Sequence, residues 1–446
     1  MRYSERKKQE FLSDLESKLI PKDSLDLIID EFKNELKERL LYSNNSMLPT
    51  FLKKTSNSVF YNHACDKIIL AIDFGGTNLK FALFKSYPTY AIQYSNIMEI
   101  ENKLVNISFF DNIVKNVVLQ LNDYCLTNCH NFESDSRRDI FVSITFSFPL
   151  NQNNEITVMG KTFVLTDEIK SQPIDIILQE SFDKYSTSLM NDKFKFWINK
   201  NIINDSIAVH LTNKYSKGYE NEIVTNERNE DDTMISLILG TGLNVCFEVP
   251  FTSLPDFKKI AMEEIYESMK DDVIINSEIG FLGSDIIQLN PNFDIVSILE
   301  VPMPLENITA GDALPKILKR VLEFYQIYPE MTINFDGKIF CQLLDDQDIK
   351  SMISGIDIEF IRQIALIIIK RASIYLVAAI YAIHDFIHLD CALKNDKTIK
   401  IGYVGSFLAY CKTYQDMIDQ YSCGKIQLQF LPDSSLIGAA IIGGKF

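Results

Sequence analysis

KIILAIDFGGTNLKFALFK (residues 67–85) and MISLILGTGLNVCFEV (residues 234–249) are built alike: an apolar run, a glycine and threonine turn, and a second apolar run. Short apolar segments on either side of such a turn read as the two strands of a β-hairpin, since glycine reaches turn conformations that other residues resist. DFGGTN in one half and LGTGLN in the other form a degenerate internal repeat. Two α/β halves that each open on a Gly/Thr hairpin suggest two lobes facing each other across a cleft.

Outward from the hairpins the pattern changes. Phe11, Leu15 and Leu19, then Leu25, Ile28, Ile29, Phe32, Leu36, Leu40 and Leu41, recur at helical spacing. Pro21 divides them into two helices, with Asp23 or Ser24 placed to cap the second. A loop is expected around Leu48-Pro49-Thr50, a helix over 108–125, and a strand from Ile140 to Phe148 that stops at Pro149. The polar stretch 216–232 reads as a connection between the halves. The second half is mostly helical, with a long apolar helix near 358–386, a strand at 399–404, a Gly-Ser turn and an apolar segment at 435–446.

The chain has 446 residues, with 60 acidic and 44 basic side chains and a formal net charge of −16. That length implies two or three domains, and 46% apolar residues are the composition of a globular protein. The acidic balance argues against a nucleic-acid partner, because phosphate backbones are bound mainly through Lys and Arg. An anionic ligand then needs a locally built site. The opening MRYSERKKQEF lacks an apolar signal core, and the best candidate for a membrane span, Ile364 to Ile383, contains Lys370 and Arg371. Eight cysteines without framework spacing read as reduced thiols of a cytoplasmic protein.

Gly75, Gly76 and Thr77 form a turn whose N–H groups and hydroxyl can approach phosphate oxygens unobstructed, although most such turns merely turn. Asp73, just before it, can hold Mg²⁺ through water. The second copy, Gly240-Thr241-Gly242, strengthens the reading, since two facing hairpins can clamp one polyphosphate; neither copy fits the Walker or dinucleotide pattern. Asp205 follows the apolar run 196–203 and is either a general base or a helix N-cap. Glu278 and Glu306, taken alone, read as surface glutamates, and His384 with His388 lacks a third metal ligand.

In order along the chain, these motifs resemble those of the eukaryotic hexokinase family, especially the fungal hexokinases and glucokinases. LAIDFGGTNLKFAL resembles the first phosphate motif (Asp73, Phe74, Gly75, Gly76, Thr77, Asn78), with Lys80 where the family usually has Arg. ITFSFPL supplies Ser147 of the sugar strand and MGKTF supplies Lys161 of the next sugar loop, with Gly160 replacing a threonine. INDSIA matches the family's Asn and catalytic Asp to Asn204 and Asp205. LGTGLN resembles the second phosphate motif, carrying Thr241, Gly242 and a sugar-contacting Asn244. INSEIGFLG matches Asn276 and Glu278, with Ile279 in place of tryptophan, and MPLENITAG matches a second sugar-binding glutamate to Glu306. GYVGSF resembles the adenosine-side motif with Gly405 and Ser406 kept and Val404 in place of aspartate. In DSSLIGAA, Ser434 and Leu436 replace glycines, so Leu436 either blocks an adenine or turns into the helix packing.

The resemblance implies an α/β, two-lobed actin-like sugar-kinase (ribonuclease H-like) fold, each lobe a mixed sheet flanked by helices. Hexokinase N-terminal and C-terminal halves are expected at 9–215 and 233–446, the small lobe being about 67–205 plus 435–446 and the large lobe about 1–66 and 206–434. It implies transfer of the γ-phosphate of ATP or another nucleoside triphosphate, with Mg²⁺, to the 6-hydroxyl of a hexose. An N-acetylglucosamine kinase and a sugar-binding regulator are the alternatives. Asp205 would be the base, and Ser147, Lys161, Asn204, Asp205, Asn244, Glu278 and Glu306 would hold the sugar. No nucleic acid and no membrane insertion are expected.

Overall fold

Nearly every residue of Ile68–Phe74 (β2) is buried, and alternate side chains feed two separate cores. Leu70, Ile72 and Phe74 join a cluster with Phe110 and Val114 of α3 (Ile107–Thr127) and Leu178 and Phe182 of α4 (Ile174–Met190). Ile69 and Ala71 instead meet Leu436, Ala439 and Ala440 of α13 (Ser434–Gly444), together with Ala82 and Phe84. The two-residue period of a strand makes that division, and burial on both faces makes the run continuously apolar until Asp73.

The structure is a computed structural model that describes residues 4–50, 67–86, 90–127, 137–148, 150–151, 153–156, 163–221, 234–260, 272–294, 303–327, 335–345, 357–388 and 398–444. The chain divides into two compact units, a larger one of Met1–Phe51 with Thr225–Pro432 and a smaller one of Leu52–Val224 with Asp433–Phe446.

In the smaller unit β2 pairs antiparallel with β3 (Asn78–Lys85), which pairs antiparallel with β4 (Ala91–Glu99). On its other side β2 runs parallel to β6 (Arg138–Phe146), and β6 runs parallel to β8 (Phe194–Ile198), giving the order β4-β3-β2-β6-β8. A small parallel pair, β5 (Leu104–Val105) and β7 (Val164–Leu165), lies apart from this sheet. Helix α5 (Asp205–Asn221) also belongs to this unit, as does α13. The division therefore falls beyond α5, later than the bound of about 205 that the resemblance implies for the small lobe. The expected connection 216–232 begins as the end of α5, and 222–233 lies outside the described residues.

The larger unit carries a six-stranded sheet in the order β1-β11-β10-β9-β12-β13. Its strands are β1 (Leu48–Pro49), β9 (Ile235–Leu239), β10 (Leu243–Pro250), β11 (Asp272–Asn276), β12 (Ile399–Val404) and β13 (Ile426–Phe430). From β11 to β13 the order and strand directions repeat those of the smaller unit: an antiparallel hairpin pair, then two parallel strands. Leu48 and Pro49, expected in a loop, form the edge strand instead, where the missing N–H of proline costs nothing.

Helices α1 (Glu5–Leu19) and α2 (Leu25–Tyr42) begin at Ser4 and Ser24, whose hydroxyls accept from the N–H groups of Lys7 and Leu27. Helices α7 (Pro304–Thr309), α8 (Ala313–Phe324), α9 (Gly337–Leu344) and α12 (Lys412–Tyr421), with α1 and α2, pack against α10 (Ile358–Ile387). The short helices α6 (Asp256–Ile260) and α11 (Ser406–Tyr410) belong to the same unit. By length and composition alone α10 is apolar enough to cross a membrane, but most of its residues are buried in the core of this unit. Its Arg371 is buried and donates to the equally buried Asp294 carboxylate at 3.0 Å.

Candidate active site

In the smaller unit, β2 delivers Asp73 to the mouth of the turn that joins it to β3. The turn closes through the Gly75 N–H, which donates to the Asn78 carbonyl at 3.0 Å. Asp73 lies opposite Lys80 on β3 and beside Thr145 on β6, so the three side chains share the face covered by α13. Asp73 is only 8% exposed, and its Oδ2 accepts from the Ser435 hydroxyl at 2.6 Å. Burial pushes its carboxyl up to about 6; the Ser435 bond and the Lys80 charge oppose this, while the Asp205 charge adds to it. Its Oδ1 is buried and accepts no hydrogen bond among the described residues.

Asp205 opens α5, and the preceding Asn204 fills the capping position. Asn204 Oδ1 accepts from the Ser206 N–H at 2.9 Å and from the Ser206 hydroxyl at 2.7 Å. Asp205 Oδ1 also receives the Ser206 N–H at 2.9 Å. Of the two readings of Asp205, the N-cap thus passes to its neighbour, and Asp205 is a half-buried carboxylate on the first turn, where the helix dipole favours its charge. Ser147 follows β6, and its N–H donates to the Phe74 carbonyl at 3.1 Å, which ties that segment to the Gly75–Asn78 turn. Lys161 and Gly160 lie outside the described residues.

In the larger unit, two of the expected residues, Asn244 and Glu278, form one polar cluster with Asn276. Asn244 Nδ2 donates to Asn276 Oδ1 at 2.9 Å and Asn276 Nδ2 to Glu278 Oε1 at 2.8 Å. The Glu278 N–H returns a bond to Asn244 Oδ1 at 3.1 Å. Glu278 has a positive φ of 49°, a backbone state held in place by these bonds rather than a relaxed surface position. Glu306, on α7, accepts from the Leu243 N–H at 2.8 Å through Oε2. A side chain at Gly242 would meet that same oxygen at 2.9 Å, so the turn glycine is what allows the carboxylate to approach. Neither glutamate is a plain surface residue.

Gly405 precedes α11 with φ of 128°, and a Cβ there would lie 2.2 Å from the Leu239 carbonyl oxygen. That close approach fixes Gly405 and Ser406 beside the Gly240-Thr241-Gly242 turn. Gly311 donates its N–H to the Gly240 carbonyl at 2.8 Å and completes this cradle. Sequence reasoning missed Gly311 and Ser435, and it did not count Asn276 among the binding residues. All three sit inside motifs it quoted (MPLENITAG, DSSLIGAA and INSEIGFLG), next to the residues singled out there. Leu436, by contrast, is 3% exposed inside the cluster with Ile69, Ala71, Ala82 and Phe84, so the packing alternative holds. Trp197 is 41% exposed on the edge strand β8, where its indole N–H donates to Asp139.

Two family models described as hexokinase match the chain, one over residues 10–215 and the other over residues 234–444. The chain belongs to the hexokinase family. Hexokinases are phosphotransferases acting on a sugar hydroxyl with ATP as co-substrate, and this chain is a divergent member of that class. The protein N-acetylglucosamine kinase 1 of Candida albicans is 23% identical to it over 487 aligned positions, covering 93% of this chain and 88% of that one. Hexokinase-1 of Schizosaccharomyces pombe is 22% identical over 369 positions, covering 79% and 67% respectively. Among solved structures, the hexokinase from Schistosoma mansoni complexed with glucose aligns over 100% of both chains with a TM-score of 0.64 at 18% identity. Another hexokinase crystal structure aligns over 99% of both chains with a TM-score of 0.70 at 17% identity. These likenesses show a two-lobed sugar-kinase fold of mixed sheets flanked by helices in this hexokinase-family chain.

Proposed function

We propose that the protein transfers the terminal phosphate of a nucleoside triphosphate to the 6-hydroxyl of a hexose such as glucose. In this reading the amide and carboxylates Asn244, Glu278 and Glu306 of the larger unit, with Ser147, Lys161, Asn204 and Asp205, bind the sugar. Each supplies a directional hydrogen bond that a sugar hydroxyl can answer. Asp205 accepts the hydroxyl proton as the sugar oxygen bonds to the terminal phosphorus, and the bond from phosphorus to the nucleoside diphosphate breaks. The turn of Gly75 to Asn78, with Lys80, and the cradle of Thr241, Gly242, Gly405 and Ser406 bind the nucleotide. A divalent cation such as Mg²⁺ supplies charge neutralisation of the phosphates; the buried, unpartnered Oδ1 of Asp73 fits such an ion or one of its waters.

The observation that carries this reading is the state of Asp205: its neighbour takes the cap, and its charge reaches Asp73 beside the glycine turn. A second reading, an N-acetylglucosamine kinase, is favoured by the Candida albicans relative, which aligns over 93% of the chain. A coupled assay of the purified protein against glucose, fructose, mannose and N-acetylglucosamine, each with ATP, GTP, UTP and CTP, tests both. Turnover of none of them would refute the enzyme reading and leave a sugar-binding regulator.

A further inference from the structure

Lys103 lies outside every motif that the family resemblance uses, in the segment between β4 and β5. Its Nζ donates to the Gly76 carbonyl at 2.9 Å, within the phosphate turn itself. The same Nζ stands 4.3 Å from the centre of the Phe163 ring, which holds the ammonium by a cation–π contact. Phe163 is buried in the core with Phe109 and Phe148, so the ring is a fixed platform. Among the described residues, no carboxylate lies within ion-pair reach of Lys103, in a chain of net charge −16.

An ammonium has three donors, and one carbonyl oxygen uses one of them. The ring face offers attraction without accepting a full hydrogen bond. A half-buried cation left with unspent donors, clamped on a turn, is a site for an anion that comes and goes. At that turn the N–H groups of Gly76 and Thr77 have no acceptor among the described residues, so they and the ammonium can serve the same phosphate. Lys80 is the other cation there, but it sits directly across the strand pair from Asp73, and its charge is partly matched by that carboxylate.

We propose that Lys103 is a phosphate-binding residue of the nucleotide site, holding the terminal phosphates of a nucleoside triphosphate at the Gly75–Asn78 turn. The proposal rests on the sugar-kinase reading for its ligand, and it assigns the turn a second cation. The charge acts on the phosphates rather than on the base, so its contribution is shared by all nucleoside triphosphates and is weakened by salt.

The test separates the charge from the carbonyl bond. Lys103→Gln keeps an N–H donor for the Gly76 carbonyl and removes the charge, Lys103→Met removes both, and Lys103→Arg keeps both. With folding checked by thermal melting, calorimetric binding of inorganic triphosphate and of MgATP to the full chain is measured beside nucleotide and sugar KM. Expected is a loss of about 10-fold or more in triphosphate affinity for both Gln and Met, recovery with Arg, and an unchanged sugar KM. A Gln variant that binds triphosphate like the wild type would overturn the proposal and leave Lys103 as a turn clamp; so would wild-type protein that binds no triphosphate. If the wild type binds triphosphate through Lys103 but phosphorylates no sugar, the sugar-kinase reading falls and this assignment stands.

Discussion

The two hairpins use one backbone plan for different chemistry. In the smaller unit the residue two before the glycine turn is Asp73, opposite Lys80; in the larger unit the equivalent strand position is Ile238, opposite Asn244. One hairpin therefore carries a charged pair at its mouth and the other an amide facing an aliphatic side chain. Their surroundings differ in the same sense. Asp73 is buried beneath α13 with one oxygen that has no partner among the described residues, whereas Asn244 is wired to Asn276 and Glu278 in a closed set of hydrogen bonds. A group kept short of partners is poised to take a charged ligand; a group in a satisfied network is held in one orientation for recognition. Repeating a fold did not repeat a site.

That contrast can be broken by four measurements. Asp205→Ala is expected to lower kcat by ~10²–10⁴-fold, the range for loss of a general base. The melting temperature should stay close to wild type, because Asn204 caps α5. Turnover within twofold of wild type would return Asp205 to a structural role and leave the smaller unit without its reacting group.

Leu436→Ala is expected to cost ~2–5 kcal/mol of stability, as for other buried leucines, since this side chain fills the space among Ile69, Ala71, Ala82 and Phe84. The ratio of kcat/KM between ATP and GTP should not move. A gain in ATP preference with unchanged stability would show that the side chain faces the nucleotide instead.

Glu278→Gln probes the other unit. It leaves the shape of the cluster but removes a charged acceptor of the Asn276 and Asn244 amides. Sugar KM should rise by ~10-fold or more, as for hydrogen bonds to a charged group, while nucleotide KM is unaltered. Equal changes in both constants would mean that the division of labour between the two hairpins is false.

Asp73→Asn probes stability against pH in the absence of nucleotide and divalent cation. The folded carboxyl titrates at about 6, above its ordinary value of 3.8, so the unfolded chain releases this proton first and stability falls between the two values, the full cost being reached above 6. The wild type should lose stability as pH rises from about 4 to 6, and the variant should lack that loss. A shift of about two pH units corresponds to ~3 kcal/mol at most, and the weaker acceptor that Asn offers Ser435 takes back part of it. Parallel pH curves for the two proteins would remove the contrast between a poised and a satisfied hairpin.

Much of this protein is readable without coordinates. Both hairpins, the helix break at Pro21, the long core helix and the C-terminal apolar helix follow from periodicity and from glycine and proline punctuation, which are local properties. Site residues from Asp73 to Glu306 are named because their strings resemble motifs of the hexokinase family, and such strings are also local. Tertiary structure alone decided what depends on partners far apart in sequence. Asp73 and Ser435 are separated by 362 positions, and only folding brings the hydroxyl to the carboxylate and buries the pair. From the sequence Leu436 either blocks an adenine or packs within the helix layer; α13 lying against β2 decides for the packing. Lys103 carries no signal in its own neighbourhood; its meaning comes from a carbonyl 27 positions before it and a ring 60 positions after it. Sequence fixes the period and the turns because those are set by nearest neighbours along the chain. Burial, charge partnering and the direction of each side chain are set by neighbours in space.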